Sequence, residues 1–219
     1  VTLSGALVNS TDSSTNSGFG DFGEGWTFLF ESNFRHELKG LPGGQNFGFT
    51  YGADGDYTQL GGQVTFAPGT GLSIPTEDDT WSAFWSGWQY IQAADDAVLI
   101  DPTNGIPDRR GWGVFTRVGV GDDDTLPIDF HVSGGLGGRG AIDSRPNDHY
   151  GVGYFYNSLQ PELFEGVSFQ DDESQGFECY YNAALSPAAQ LSFDVQFLSD
   201  ALRDTDTATV VGMRLMLSF

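Results

Sequence analysis

Three arginines stand out by their phase. Arg35, Arg117 and Arg139 each lie in a stretch of alternating apolar and polar residues, on the polar side, as do the acids Glu31, Asp129 and Glu178. A guanidinium offers a planar fork of donors, whereas a carboxylate only accepts. On a hydrated wall the six would form a lattice suited to polyols, or would simply pair with one another.

Other chemistry is weaker. "GLGGRG" (Gly135 to Gly140) has the G-x-G-x-x-G spacing of dinucleotide sites, but a turn and another strand follow where a phosphate would need a helix N-terminus. His36, His131 and His149 show no metal-ligand spacing. "GDDDT" (Gly121 to Thr125) reads as a solvated acidic loop, with weak Ca²⁺ binding as the alternative. No pair of carboxylates is singled out for glycosidase work, and no cofactor is expected. The single cysteine, Cys179, excludes a disulfide framework and reads as a small buried or lipid-facing residue.

The elements that must carry these residues are strands, since period-two alternation recurs and helical periodicity does not. The pattern predicts ten, at 1–10, 26–38, 46–56, 80–92, 111–121, 128–139, 150–158, 177–185, 190–199 and 208–219. Turn-rich segments separate them, and 60–79 is one long loop or holds a further short strand. In 26–35, Trp26, Phe28, Phe30 and Phe34 oppose Glu31, Asn33 and Arg35. Likewise Val114 and Val118 oppose Phe115 and Arg117, and Phe130 and Val132 oppose Asp129 and His131. Phe177 and Cys179 oppose Glu178 and Tyr180; Phe193 and Val195 oppose Asp194. In the last strand Val211, Met213, Leu215, Leu217 and Phe219 oppose Arg214 and Met216. The charged residues of these strand cores all fall on the polar side.

The 219-residue chain carries 30 acids against 9 basic residues, a formal net charge of −21, which argues against nucleic-acid binding. Its aromatic content of 14 % excludes simple disorder. No apolar run is long enough for a transmembrane helix, and no signal peptide opens the chain. Charge-free, ring-rich faces opposed to polar ones fit an antiparallel transmembrane β-barrel, all-β, better than a soluble sheet. With Phe219 at the periplasmic side, the acidic segments 122–127, 159–176 and 200–207 fall outside. The turns 39–45, 140–149 and 186–189 are short, as expected there, while 93–110 is long and on the wrong side.

The stretch 111–159 (Gly113-Val114-Phe115 with Arg117, Arg145-Pro146-Asn147-Asp148, Gly151-Val152-Gly153-Tyr154) and then Glu178 with Tyr181-Asn182-Ala183-Ala184 resembles the carbohydrate-selective porin family, the OprB type. "GMRLMLSF" is similar to the C-terminal signature of outer-membrane proteins. The resemblance implies a sixteen-stranded barrel in the bacterial outer membrane, with arginines near a constriction, passing sugars by diffusion and catalysing nothing. The family's N-terminal strands have no counterpart, so 1–219 is expected to be a single barrel domain lacking them, completed by a partner segment, or a homotrimer. Its partners would be membrane lipid and small sugars or ions. The pore-lining set is Glu31, Asn33, Arg35, Phe115, Arg117, Asp129, His131, Arg139, Glu178, Tyr180, Asp194 and Arg214. A different class also fits the composition: a secreted acidic β-sandwich that binds or cleaves polysaccharide, stacking it on Trp26, Trp81, Trp85 or Trp88.

Overall fold

Alternating β-branched and aromatic residues between turn signals favour pleated strands, and all the regular structure described is strand. The computed structural model describes residues 1–10, 25–69, 71–100, 107–164, 167–168, 171–199 and 206–218. The strands are β1 (Thr2–Asn9), β2 (Trp26–Leu38), β3 (Leu41–Ala53), β4 (Tyr57–Thr58), β5 (Thr65–Ala67), β6 (Gly71–Ser73), β7 (Thr76–Glu77) and β8 (Thr80–Ile100). They continue as β9 (Pro107–Gly121), β10 (Ile128–Arg139), β11 (His149–Leu159), β12 (Glu162–Phe164), β13 (Val167–Ser168), β14 (Glu173–Ser186), β15 (Ala189–Ser199) and β16 (Ala208–Leu217). Ten form one antiparallel sheet in the order β1-β2-β3-β8-β9-β10-β11-β14-β15-β16, and the short ones make three separate two-stranded sheets. Within this sheet β1 and β16 each keep one free edge.

Sequence and structure agree on the ten long strands and differ in three places, the first being the turn expected at 39–45, which is only Lys39-Gly40 because 41–45 already pair in β3. Residues 93–100 and 107–110 are not loop: β8 and β9 stay paired out to Ile100 and Pro107, through register shifts at Tyr90/Gln92 and Ala93/Val98, and 101–106 lie outside the described residues. The segment 60–79 contributes to two small hairpins, β4 with β7 and β5 with β6. Phe219 and the segments 11–24 and 200–205 lie outside the described residues.

Short connections gather at one end of the sheet. Lys39 and Gly40 have φ of 54° and 77°, the left-handed pair that a two-residue hairpin of matching twist requires. At the other end the loops are tied together. The Leu60 N–H donates to the Asp124 carbonyl at 2.7 Å and the Gln160 N–H to that of Pro127 at 3.1 Å.

The register joins one face of every strand into two continuous surfaces. One carries Phe28, Phe30, Phe34, Phe47, Phe49, Val114, Phe177, Phe193, Met213 and Leu215, all exposed. Among the described residues the only buried apolar side chain is Leu159. A sandwich would bury its ring-rich face against a second sheet; here none covers it, so the sandwich expectation fails. Its four tryptophans divide as well: Trp26, Trp81 and Trp85 lie on the apolar surface, Trp88 on the polar one.

Rings with polar handles mark both ends of the apolar surface. At the loop end, the Trp26 indole donates to Asp54 at 3.1 Å and the Tyr51 hydroxyl to Asp79 at 3.1 Å, with Trp81 opposite Tyr51. At the turn end, Trp112, Tyr150 and Tyr181 follow one another across β9, β11 and β14 with Gly138 of β10 between.

Candidate functional site

The opposite surface is concave: residues of β8, β9, β10, β11, β14 and β15 line a single cavity of about 620 Å³. Pairing places its side chains in rows across the sheet. One row runs Arg35, Gly44, Trp88, Phe115, Gly135, Gly153, Glu178 and Gln196. The next, toward the loops, runs Asn33, Asn46, Ser86, Arg117, Ser133 and Phe155. Toward the turns, Tyr180 and Asp194 share a row with Gly151 and Gly212; beyond them Arg139 and Arg214 share one with His149, Asn182 and Ser192.

Eleven of the twelve residues singled out in the sequence thus fall on one surface, though not in one state, while Asp129 lies at a register shift that gives it no partner across the sheet. Glu31, Arg35, Arg117, Glu178 and Tyr180 are exposed. Glu31 Oε1 accepts from the amides of Asn33 and Asn46, both at 2.9 Å, so this carboxylate is held by asparagines. His131 bridges Asn157 Oδ1 (2.6 Å) and Ser133 Oγ (3.0 Å), and Asn157 donates onward to Ser174 at 3.0 Å. Because Asn157 spends its amide on Ser174, its oxygen faces His131, and Nδ1 is the protonated ring nitrogen. Asp129 sits at a register shift with a buried Oδ1 that has no hydrogen bond among the described residues.

Arg139 departs most from expectation. It is 2 % exposed, and its guanidinium donates to Pro146 O and Asn147 Oδ1 at 3.2 Å each. It braces the 140–148 turn rather than offering its donors to the lumen. That turn holds a second buried charge, Asp148. Arg145 grips it through Nε and through Nη2 at 3.0 Å, the Tyr181 hydroxyl donates to it, and the Ala184 N–H adds a bond of 2.9 Å. Arg145 above all, then Tyr181 and the amide, hold the Asp148 carboxyl down at about 2 against the opposing effect of burial.

Sequence reasoning missed how the rings lie. A Cβ on Gly135 would come within 2.9 Å of Phe115 Cζ, and one on Gly153 within 3.4 Å. On Gly151 it would meet Tyr180 Cε1 at 2.5 Å, and on Gly44 Trp88 Nε1 at 2.6 Å. Glycines of neighbouring strands therefore form the floor on which these rings rest. The signal was present as alternate-position glycines opposite rings, but only register couples them.

Asp122, Asp123 and Asp124 bring ligand-capable oxygens within 4.8 Å of one another, with Asp122 also accepting from the Asp124 N–H and the Thr125 hydroxyl.

Comparison with known proteins followed from this geometry. The family model described as "Carbohydrate-selective porin, OprB family" matches residues 1–219. Among solved structures the chain is similar to Pseudomonas putida OprB at high pH, with 20 % identity and a TM-score of 0.71 over 93 % of this chain and 50 % of that one. The low-pH structure of the same protein gives 19 % and 0.57, over 90 % and 47 %. The chain spans about half the length of these structures, and at such identity the likeness concerns the fold. No curated protein matches it.

Proposed function

The chain belongs to the carbohydrate-selective porin, OprB family, and from that premise we propose that its ten strands form wall of an outer-membrane channel through which small neutral solutes, chiefly carbohydrates, diffuse. One observation carries this reading: Glu31, Arg35, Arg117, Glu178, Asp194 and Arg214, from the middle of their strands, share the concave surface, while the ring-rich surface stays exposed. Hydrocarbon accepts the second, and a water-filled lumen the first.

Dimensions support it. Trp112 marks the lower belt, and Asp122, whose N–H meets the Trp81 carbonyl, marks the upper. They are 122 − 112 = 10 residues apart on one chain segment. At ~3.3 Å per residue and a tilt of ~40°, that spans ~25 Å of membrane, the height of a barrel's apolar band. Further strands pair the free edges of β1 and β16, since open edges leave N–H and C=O groups unsatisfied in lipid.

Charge supports a neutral cargo. The charged side chains that the register puts on the lumen side are of both signs, Glu31, Glu37, Glu178 and Asp194 with Arg35, Arg117, Arg139 and Arg214, in a chain of net charge −21. The acidic excess therefore lies elsewhere, and the wall itself presents mixed donors and acceptors to hydroxyls. The channel is passive and performs no chemistry on its solute. The test is conductance in planar bilayers with sugar titrated in. Discrete steps that sugar reduces are expected; no steps at all would sink the reading.

A further inference from the structure

The geometry points to one built sugar subsite on this wall: we propose that Phe115 and Tyr180, resting on the glycines of β10 and β11 with Glu178 beside them, bind the C–H face of a pyranose ring. This rests on the carbohydrate reading above and names the kind of sugar it favours.

Phe115 starts on β9, yet its Cζ reaches over Gly135 to Gly153 on β11. Tyr180 starts on β14 and lies back over Gly151. Gly151 and Gly153 are alternate residues of one strand, so they share a face about 7 Å apart. Two rings approaching from opposite sides thus come to rest next to each other. Glu178 is the register partner of Gly153, and Gln196 that of Glu178, so an acceptor and an amide border the rings in the same row.

These rings are not packing a core. Phe115 is 46 % exposed and Tyr180 42 %, both lining the cavity of about 620 Å³. That volume suits a small molecule. An exposed ring in a wet lumen gains by covering itself, and a pyranose offers a fixed apolar C–H face whose equatorial hydroxyls point outward. Glu178 accepts from those hydroxyls, while Gln196 both donates and accepts. A linear polyol has as many hydroxyls but no fixed face. A lattice of charges alone would not tell the two apart; aromatic rings would.

The experiment compares block of ion current by methyl β-glucopyranoside and by glucitol, using the full chain folded and reconstituted in planar bilayers. The glucoside, despite fewer hydroxyls, is expected to reach half-block at about fivefold lower concentration, the weight of a stacked-ring contact. Phe115→Leu and Tyr180→Leu, which keep apolar bulk but remove the ring, should each shrink that gap. Glu178→Gln should weaken block by both solutes. Equal half-block in the parent, or a gap that persists in both leucine variants, overturns the subsite. Equal block by both solutes would leave the porin reading intact, whereas no block of an open channel by either would sink the carbohydrate reading and the subsite together. Should a leucine variant fail to assemble, the parent comparison still decides.

Discussion

The β10–β11 turn, at one end of the sheet, and the last strand, β16, along one edge of it, keep their places by opposite means. The turn is held from within. Asp148, 2 % exposed, gathers donors from Arg145, Tyr181 and Ala184, and Arg139 is folded in behind it. β16 has the ladder to β15 and little else: Val211 and Met213 are 76 % and 72 % exposed, and its far edge is free. One place is encoded in directional bonds between particular atoms. The other is encoded in phase, and takes effect only when the correct solvent lies on each side.

Breaking the turn should cost most. Asp148→Ala strands the Arg145 guanidinium, the Tyr181 hydroxyl and the Ala184 N–H, and removing one partner of a buried pair costs about 3–5 kcal/mol. Arg145 is 38 % exposed in its side chain and can turn to water, which points to the lower end. Urea unfolding of the folded barrel measures it, and a loss under ~1 kcal/mol would mean the clasp is ornamental. Breaking the phase of β16 comes next. Leu215→Arg puts a charge into hydrocarbon at about 2–4 kcal/mol, whereas Met216→Arg, one residue on, meets the lumen and should assemble normally. Equal yields of folded protein from the two variants would reverse the faces.

Acid separates the two regions without mutation. Because the folded carboxyl of Asp148 is held at about 2, below its ordinary 3.8, its contribution is complete above about pH 4 and is lost as pH falls toward 2. Stability measured over that window should fall in the parent and stay flatter in Asp148→Asn; parallel curves would contradict the assignment. The smallest effect sharpens the comparison. Tyr181→Phe removes one bond to a charged acceptor and should cost less than either change above. Combined with Asp148→Ala it should add almost nothing, since the hydroxyl has by then lost its partner; full additivity in that double-mutant cycle would uncouple the two.

What the sequence made legible follows the same division. Phase alone located the ten long strands and put Glu31, Arg117 and Glu178 on one surface, because period two survives any register. It misjudged 93–100 and 107–110, where register shifts at Tyr90/Gln92 and Ala93/Val98 break the period. It also could not see along rows. Phe115 and Glu178 are 178 − 115 = 63 residues apart, and only the turn lengths between them decide that two glycines fall in the gap. For the same reason Arg139 looked like its neighbours in phase, and its burial under Pro146 and Asn147 appears only once the turn has folded back.

The large sheet joins each long strand to the next one along the chain, β3 to β8 included once the small hairpins between them are set aside. Such a meander is modular. Duplicating or deleting one hairpin changes the wall by two strand widths, about 10 Å of circumference, while every other ladder keeps its partners. Bore is therefore a quantity that this architecture can adjust in steps by copying a unit of about thirty residues, leaving the chemistry of the remaining rows where it was.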